Sequence, residues 1–300
     1  MVRPNILMPQ LPQYIEPVYR PPSEARSLIL QATIGCSWNR CSFCDMYSGK
    51  RFRPRPENEL CDEIKQIASH ATPFTKLFLA DGDAMVLSTR RLLHLLKTIR
   101  DELPQIRRVS AYALPANLSQ KSPTELNEIR DAGLSLIYVG IESGDDEILQ
   151  RINKGETLES TVAGLNLAGD AGIKRSVMII SGLGGRAHSA AHAHNSARVL
   201  NQTQPEFASL LTLMLPNGPE RFLKGWKEFE FLDALGVLKE AAQLIEATEL
   251  KQTVFRSDHA SNYLALKGTL GRDRARLLEQ IRAVIESPQG ALRPEEWRGL

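Results

Sequence analysis

Three of the four cysteines in this 300-residue chain, Cys36, Cys41 and Cys44, fall within nine positions of one another. Four cysteines are too sparse for a disulfide scaffold, and thiols clustered this closely suggest metal. Zinc in a structural site wants four protein ligands, and neither a second cysteine pair nor a nearby histidine completes a set here. An iron–sulfur cubane held by three cysteines leaves one iron open to a substrate or cofactor. The loop therefore reads as an iron–sulfur site, with zinc and a plain buried cysteine cluster as the alternatives.

Such a loop needs a rigid frame. Short β-rich runs at 27–34, 75–80, 107–112, 135–141, 173–181 and 206–214 alternate with helical patterns at 57–71, 89–103, 123–132, 158–171 and 189–202. That alternation predicts parallel strands joined by crossover helices. Ser122, Pro123 and Glu125 form a capping box with proline at the first helical position, and Gly133 and Gly172 stand where left-handed caps are wanted. In a barrel or a doubly wound sheet alike, ligands collect at the carboxyl ends of the strands, and the cysteine loop begins where the first strand ends. Residues 216–300 differ: a helix near 232–247, a polar stretch at 255–263 and a charged helix near 273–285. The expected division is an N-terminal extension (1–26), a core (27–215) and a C-terminal extension on the substrate side (216–300).

With 42% hydrophobic and 24% charged residues the chain has the balance of a soluble globular protein, which excludes disorder and collagen-like repetition. The net charge, 37 − 35 = +2, supplies no bulk positive field for nonspecific binding to nucleic acid or an anionic membrane. The longest apolar stretches, 176–185 and 207–216, are well short of the ~20 residues of a membrane span. Residues 1–17 lack a signal-like hydrophobic region. The expectation is a cytoplasmic protein with no membrane partner.

The run Gly35-Cys36-Ser37-Trp38-Asn39-Arg40-Cys41-Ser42-Phe43-Cys44, in the loop after the first strand, resembles the radical S-adenosylmethionine (radical SAM) superfamily, and within it small single-cluster members related to the Fe-S oxidoreductase group. The resemblance covers about 27–214 and implies an α/β fold: a partial (β/α)6 TIM-like barrel with a C-terminal α/β extension. Four residues separate Cys36 from Cys41 where the family usually has three; Cys41-x-x-Cys44 and the preceding aromatic, Phe43, are retained. By this resemblance Cys36, Cys41 and Cys44 hold a [4Fe-4S] cluster whose open iron takes S-adenosylmethionine, and reductive cleavage gives a 5′-deoxyadenosyl radical that removes hydrogen from a substrate. Phe43 then lies against the adenine, and Asp81, Gly82 and Asp83 receive the methionine ammonium. Glu142, with Ser143 beside it, accepts from the ribose hydroxyls. Lys174 and Ser176 face the barrel interior toward the cofactor. A reducing donor such as flavodoxin or ferredoxin is implied as partner; the substrate is unidentified.

Other signals are weaker. In the run 256–263, His259 and Tyr263 are candidates to return hydrogen or a proton to a substrate radical, the alternative being a hydrogen-bonded strand or turn. Residues 182–187 match a dinucleotide fingerprint but lack its ribose acid, and read as a glycine-permitted turn approached by the cofactor's backbone. The basic run 50–56 suits an anion or RNA backbone, or an ordinary solvated linker. His188, His192 and His194 read as a plain helix surface, and Cys61 as buried packing. A competing reading is a non-catalytic iron–sulfur or zinc protein serving electron transfer or RNA binding; it leaves Asp81 and Glu142 unused.

Overall fold

The computed structural model describes residues 14–70 and 73–299. Ala71, the last residue of the expected first helix, and the first half of the N-terminal extension lie outside the described residues.

The elements run β1 (Leu28–Gln31), β2 (Thr33–Ile34), β3 (Arg53–Pro54), α1 (Glu57–Ala68), β4 (Lys76–Ala80), α2 (Thr89–Glu102), β5 (Arg108–Tyr112), α3 (Pro115–Ser119) and α4 (Pro123–Asp131). They continue with β6 (Leu134–Glu142), α5 (Asp146–Arg151), α6 (Leu158–Asp170), β7 (Lys174–Ser181), α7 (Gly185–Thr203) and β8 (Phe207–Thr212). The C-terminal part adds α8 (Glu220–Leu223), α9 (Ala234–Ala247), β9 (Val254–Ser257), β10 (Leu266–Thr269) and α10 (Arg274–Glu286). Eight strands form one sheet in the order β1-β4-β5-β6-β7-β8-β9-β10, parallel except for β10. This is the expected partial barrel, extended by two strands. The extension is not a separate layer, because β9 pairs in parallel with β8, Phe207 opposite Val254.

Period-two alternation decides what each strand buries on each side. Leu77, Leu79, Ile137, Val139, Val177 and Ile179 pack against the helices, while Phe78, Ala80, Leu136 and Tyr138 form a separate interior cluster. The helices answer with a 3.6-residue stripe, as in α2, where Leu92, Leu95, Leu96 and Ile99 are buried. The predicted capping box of α4 is present, Ser122 accepting from Glu125 N and Glu125 from Ser122 N. Helix α7 starts four residues before expectation, because the glycine turn closes directly into it. The predicted first strand is instead two, broken at Ala32, whose amide donates to Ala80 O on β4.

The amino end of the barrel is closed by the chain that leads into β1. Glu24, fully buried, accepts hydrogen bonds from Arg108 (2.5 Å), Tyr138 (2.6 Å), Ser110 (3.0 Å) and Ser27. Burial alone would raise this acid; the hydrogen bonds from Ser27, Tyr138 and Arg108 outweigh it and hold the carboxyl below its usual range.

Candidate functional site

The cysteine loop leaves β2 at Gly35 (φ +75°), whose amide donates to Asp81 Oδ2 at 2.8 Å. Asp81, at the carboxyl end of β4, also accepts from Gln31 Nε2 (3.0 Å) and forms a buried ion pair with Lys50 (2.9 Å). Lys50 in turn donates to the carbonyls of Ile15 and Pro17. The next residue, Gly82, is demanded by close approach: a Cβ there would stand 2.8 Å from both the Cys36 Cβ and the Tyr47 ring. Asp83 accepts from Ser37 Oγ (2.6 Å) and from Asn117, and burial pushes its pKa up to about 6. The Asp81–Asp83 turn therefore braces the start of the cysteine loop through Asp81 and Asp83 Oδ2, while Asp83 Oδ1 is buried without a partner.

The additional residue between Cys36 and Cys41 is accommodated by a left-handed turn. Asn39 takes φ +47°, and its side-chain amide donates to the carbonyls of Tyr47 (2.9 Å) and Lys50 (3.3 Å), spanning the loop. Asparagine tolerates this conformation better than most residues. The loop is then stitched to the turn after α5: Ser42 N to Ile152 O (2.8 Å), Trp38 Nε1 to Asn153 O (2.7 Å) and Asn153 Nδ2 to Arg40 O (3.3 Å). Trp38 lies so close to Gly155 that a Cβ there would stand 2.4 Å from the ring.

Burial raises the pKa of all three thiols, Cys41 to about 12, and Cys41 lies within the electrostatic reach of Lys154, Glu142, Cys44 and Cys36. Among the described residues no three His, Cys, Asp or Glu side chains converge as ligands of one metal ion. Lys154 is the residue that sequence reading missed. It is buried, its ammonium 2.9 Å from Glu142 Oε1. Burial alone would lower its pKa, but Glu142 and the thiols of Cys41 and Cys36 hold it above its usual value. Lys154 lies twelve residues from its partner, in an Asn-Lys-Gly turn between helices, where no periodicity marks it.

Glu142 is aimed by its backbone. The register between β6 and β7 shifts between Gly140 and Glu142, and Glu142 sits at φ +61°, rare for a residue with a side chain. Its carboxylate folds back over Gly140, where a Cβ would stand 2.0 Å from Glu142 Oε1. Such an outlier at a strand end points to a functional constraint. Tyr112, the last residue of β5, also faces this region, and burial with the nearby charges of Tyr138, Cys44 and Glu142 raises its phenol.

The remaining sequence candidates are distributed as follows. Phe43 packs against the apolar cluster of Ile148, Leu149, Ile152, Leu183, Phe222 and Trp226. Ser143 shares a 2.8 Å hydrogen bond with His192 Nδ1, and the cap of α5 is Asp145. Ser176 is buried on the interior face, opposite Tyr138 and Phe207. Lys174 is exposed at the amino end of β7, the end of the barrel opposite the thiols. His259 and Tyr263 lie in the loop after β9: His259 bonds Ser261 Oγ (3.0 Å), and Tyr263 donates to Glu295 (2.8 Å) beneath the Arg298 guanidinium, 4.0 Å above its ring. Ser261 and Asn262 fasten this loop to Thr212 at the carboxyl end of β8.

Four weaker expectations change. His192 is fully buried rather than on a helix surface, with Nε2 3.8 Å from the buried Glu240. Glu240 also accepts from the amide of Gly182 (2.7 Å), so a protein carboxylate fills the glycine turn. Lys50 is not solvated but spent on Asp81, and Arg55 binds Gln31 O and Glu63. Cys61 is only half-buried, its thiol 3.8 Å from Thr98 Oγ1.

Comparison with known proteins bears on the family and the fold. The chain is 24% identical over 179 residues to the heme chaperone HemW of Bacillus subtilis, covering 57% of this chain and 47% of that one. It is 28% identical over 163 residues to GTP 3′,8-cyclase of Marinobacter nauticus, covering 51% and 45%. The chain thus spans less than half the length of these curated relatives. Its fold resembles that of coproporphyrinogen III oxidase HemN from Escherichia coli, with a TM-score of 0.54 and 16% identity over 91% of this chain and 71% of that one. Residues 30–193, more than half of the sequence, match the model of the radical SAM superfamily. The chain belongs to the radical SAM superfamily, whose enzymes use a [4Fe-4S] cluster and S-adenosylmethionine.

Proposed function

We propose that Cys36, Cys41 and Cys44 hold a [4Fe-4S] cluster at the carboxyl end of the barrel, and that S-adenosylmethionine binds beside it toward Glu142. The observation that carries this reading is a buried cation set between a carboxylate and the cysteine loop: Lys154, paired with Glu142 and within the electrostatic reach of Cys41 and Cys36. A buried cation is stable only against compensating charge; Glu142 supplies it, and the same cation stands where thiolates formed on ligating iron would meet it. The residues present suit the group. The three thiols share one loop, the buried hydroxyls of Ser42 and Tyr47 lack a protein partner, and Gly82 leaves Cys36 the space that a Cβ would take.

When bound, the cluster and S-adenosylmethionine supply an electron and a 5′-deoxyadenosyl radical. The thiols must give up their protons to ligate iron, and Lys154 favours that loss, since a cation beside a thiol stabilises the thiolate. Its ammonium also offers hydrogen bonds to a carboxylate of the cofactor, while Glu142 keeps oxygen lone pairs for hydroxyls. Phe43 and its apolar cluster exclude water from the loop's inner side. Residues 216–300 select the substrate, with His259 and Tyr263 at the rim of β8 as its proton or hydrogen partners. A reduced flavodoxin or ferredoxin delivers the electron.

The test is anaerobic reconstitution with iron and sulfide, followed by electron paramagnetic resonance of the reduced protein with and without S-adenosylmethionine. About four irons per chain and a spectrum altered by the cofactor are expected, both absent in Cys36→Ala. A native chain that retains no iron, or whose spectrum ignores the cofactor, would refute the reading.

A further inference from the structure

The cysteine loop is also gripped from outside the strands that present it. Arg221, in α8, donates from Nε to Ser42 O (3.0 Å) and from Nη2 to Cys41 O (2.9 Å) and Cys44 O, and its Nη2 lies 2.9 Å from Asp45 Oδ1. Asn217, four residues earlier, donates to Asp45 Oδ2 at 3.1 Å. The next residue, Phe222, is fully buried in the apolar cluster that also receives Phe43, so the guanidinium is presented from a fixed base. Cys41 O also accepts from Cys44 N (3.2 Å), and the planar fork of Arg221 meets it together with the carbonyls of Ser42 and Cys44 in one fixed geometry.

We infer that Arg221 is a positioning residue for the iron–sulfur cluster: it fixes the backbone of the Cys41–Cys44 half of the loop and raises the cluster's reduction potential. This rests on the cluster assignment made above. The electrostatic half follows from sign alone. Reduction adds negative charge to a site already carrying thiolates, and a fixed cation at the ligand carbonyls stabilises the reduced state more than the oxidised one. The geometric half follows from the bonds, since charge-assisted hydrogen bonds to the loop must break before it can open and release iron. The segment carrying Arg221 belongs to the C-terminal extension, so that extension is tied by hydrogen bonds to the loop that carries the ligands.

The experiment compares the reconstituted full chain with Arg221→Gln, Arg221→Lys and Lys224→Gln, the last removing a neighbouring exposed cation as a charge control. Arg221→Gln should release iron to a chelator roughly tenfold faster than the native chain, with a midpoint potential shifted to more negative values. Arg221→Lys should keep a potential near the native value but still lose iron faster, since an ammonium carries the charge without the fork. Lys224→Gln should match the native chain in both. Arg221→Gln indistinguishable from Lys224→Gln in iron release and potential would overturn the inference while leaving the cluster assignment intact. If Arg221→Gln does not fold, iron release from Arg221→Lys decides: native behaviour overturns the geometric role. A native chain without a cluster overturns the assignment and this inference with it.

Discussion

At the amino end of the barrel a buried acid, Glu24, has its hydrogen bonds supplied by Ser27, Arg108, Ser110 and Tyr138, all from the protein itself. At the carboxyl end a buried cation, Lys154, has one carboxylate and a set of thiols, and the hydroxyls of Ser42 and Tyr47 are buried without a partner. Both ends bury charge, yet only the first, apart from Arg108 Nε, completes the account internally. A complete buried network adds to stability and specificity, whereas an incomplete one is costly unless something else fills it. On the reading proposed above, the amino end holds the fold and the carboxyl end holds a ligand.

The largest predicted effect tests the first half. Glu24→Ala leaves Arg108 half-buried without its partner and should cost about 3–5 kcal/mol in denaturant unfolding, while iron content per folded chain stays native. Loss of iron without loss of stability would reverse the assignment of the two ends. The same carboxyl predicts a pH dependence. Its folded pKa lies below the ordinary value of 4.5, so its stabilisation is complete above about pH 4.5 and is lost as pH falls through the lowered folded value. Glu24→Gln should flatten that acid limb of the stability curve, and an unchanged limb would remove Glu24 from it.

The next effects fall at the other end. Lys154→Met should weaken S-adenosylmethionine binding roughly tenfold or more, the scale of one charged hydrogen bond, and move the unfolding midpoint less than Glu24→Ala does. Unchanged affinity would show that the buried cation is structural. Gly82→Ala forces Cys36 or Tyr47 to shift, at a cost of about 1–3 kcal/mol for overpacking, and should leave the reconstituted protein short of iron; full iron content would mean that the loop yields freely. The smallest effect sharpens the comparison by its absence. Lys174→Ala, at the exposed amino end of β7, should change stability by less than ~0.5 kcal/mol and leave cofactor cleavage within about twofold of native. A large loss of cleavage would require a route between the two ends that the packing does not offer.

The strands, the crossover helices and the location of the cysteine loop were legible in the sequence, because periodicity, caps and glycine positions are local signals. β9 escaped, since Val254–Ser257 joins the sheet only through its long-range pairing with β8. The proposed site can be picked from the sequence where it follows chain order, as for Cys36 and Glu142 at strand ends. Lys154 and Arg221 were not, because their meaning lies in partners 12 and about 180 residues away. Asp81 and Asp83 were found by position, yet their carboxylates brace the loop through Gly35 and Ser37, a use that depends on which way a side chain turns. His192 looked like helix surface because α9, which covers it and supplies Glu240, is far away in sequence.

The most direct measurement is chromatography for 5′-deoxyadenosine and methionine after the reconstituted, dithionite-reduced chain meets S-adenosylmethionine, with Cys36→Ala and Lys154→Met alongside. The account predicts both products from the native chain, none from Cys36→Ala and a reduced yield from Lys154→Met. A stable, reducible cluster that never cleaves the cofactor would contradict it and leave the carboxyl end as an electron-transfer site.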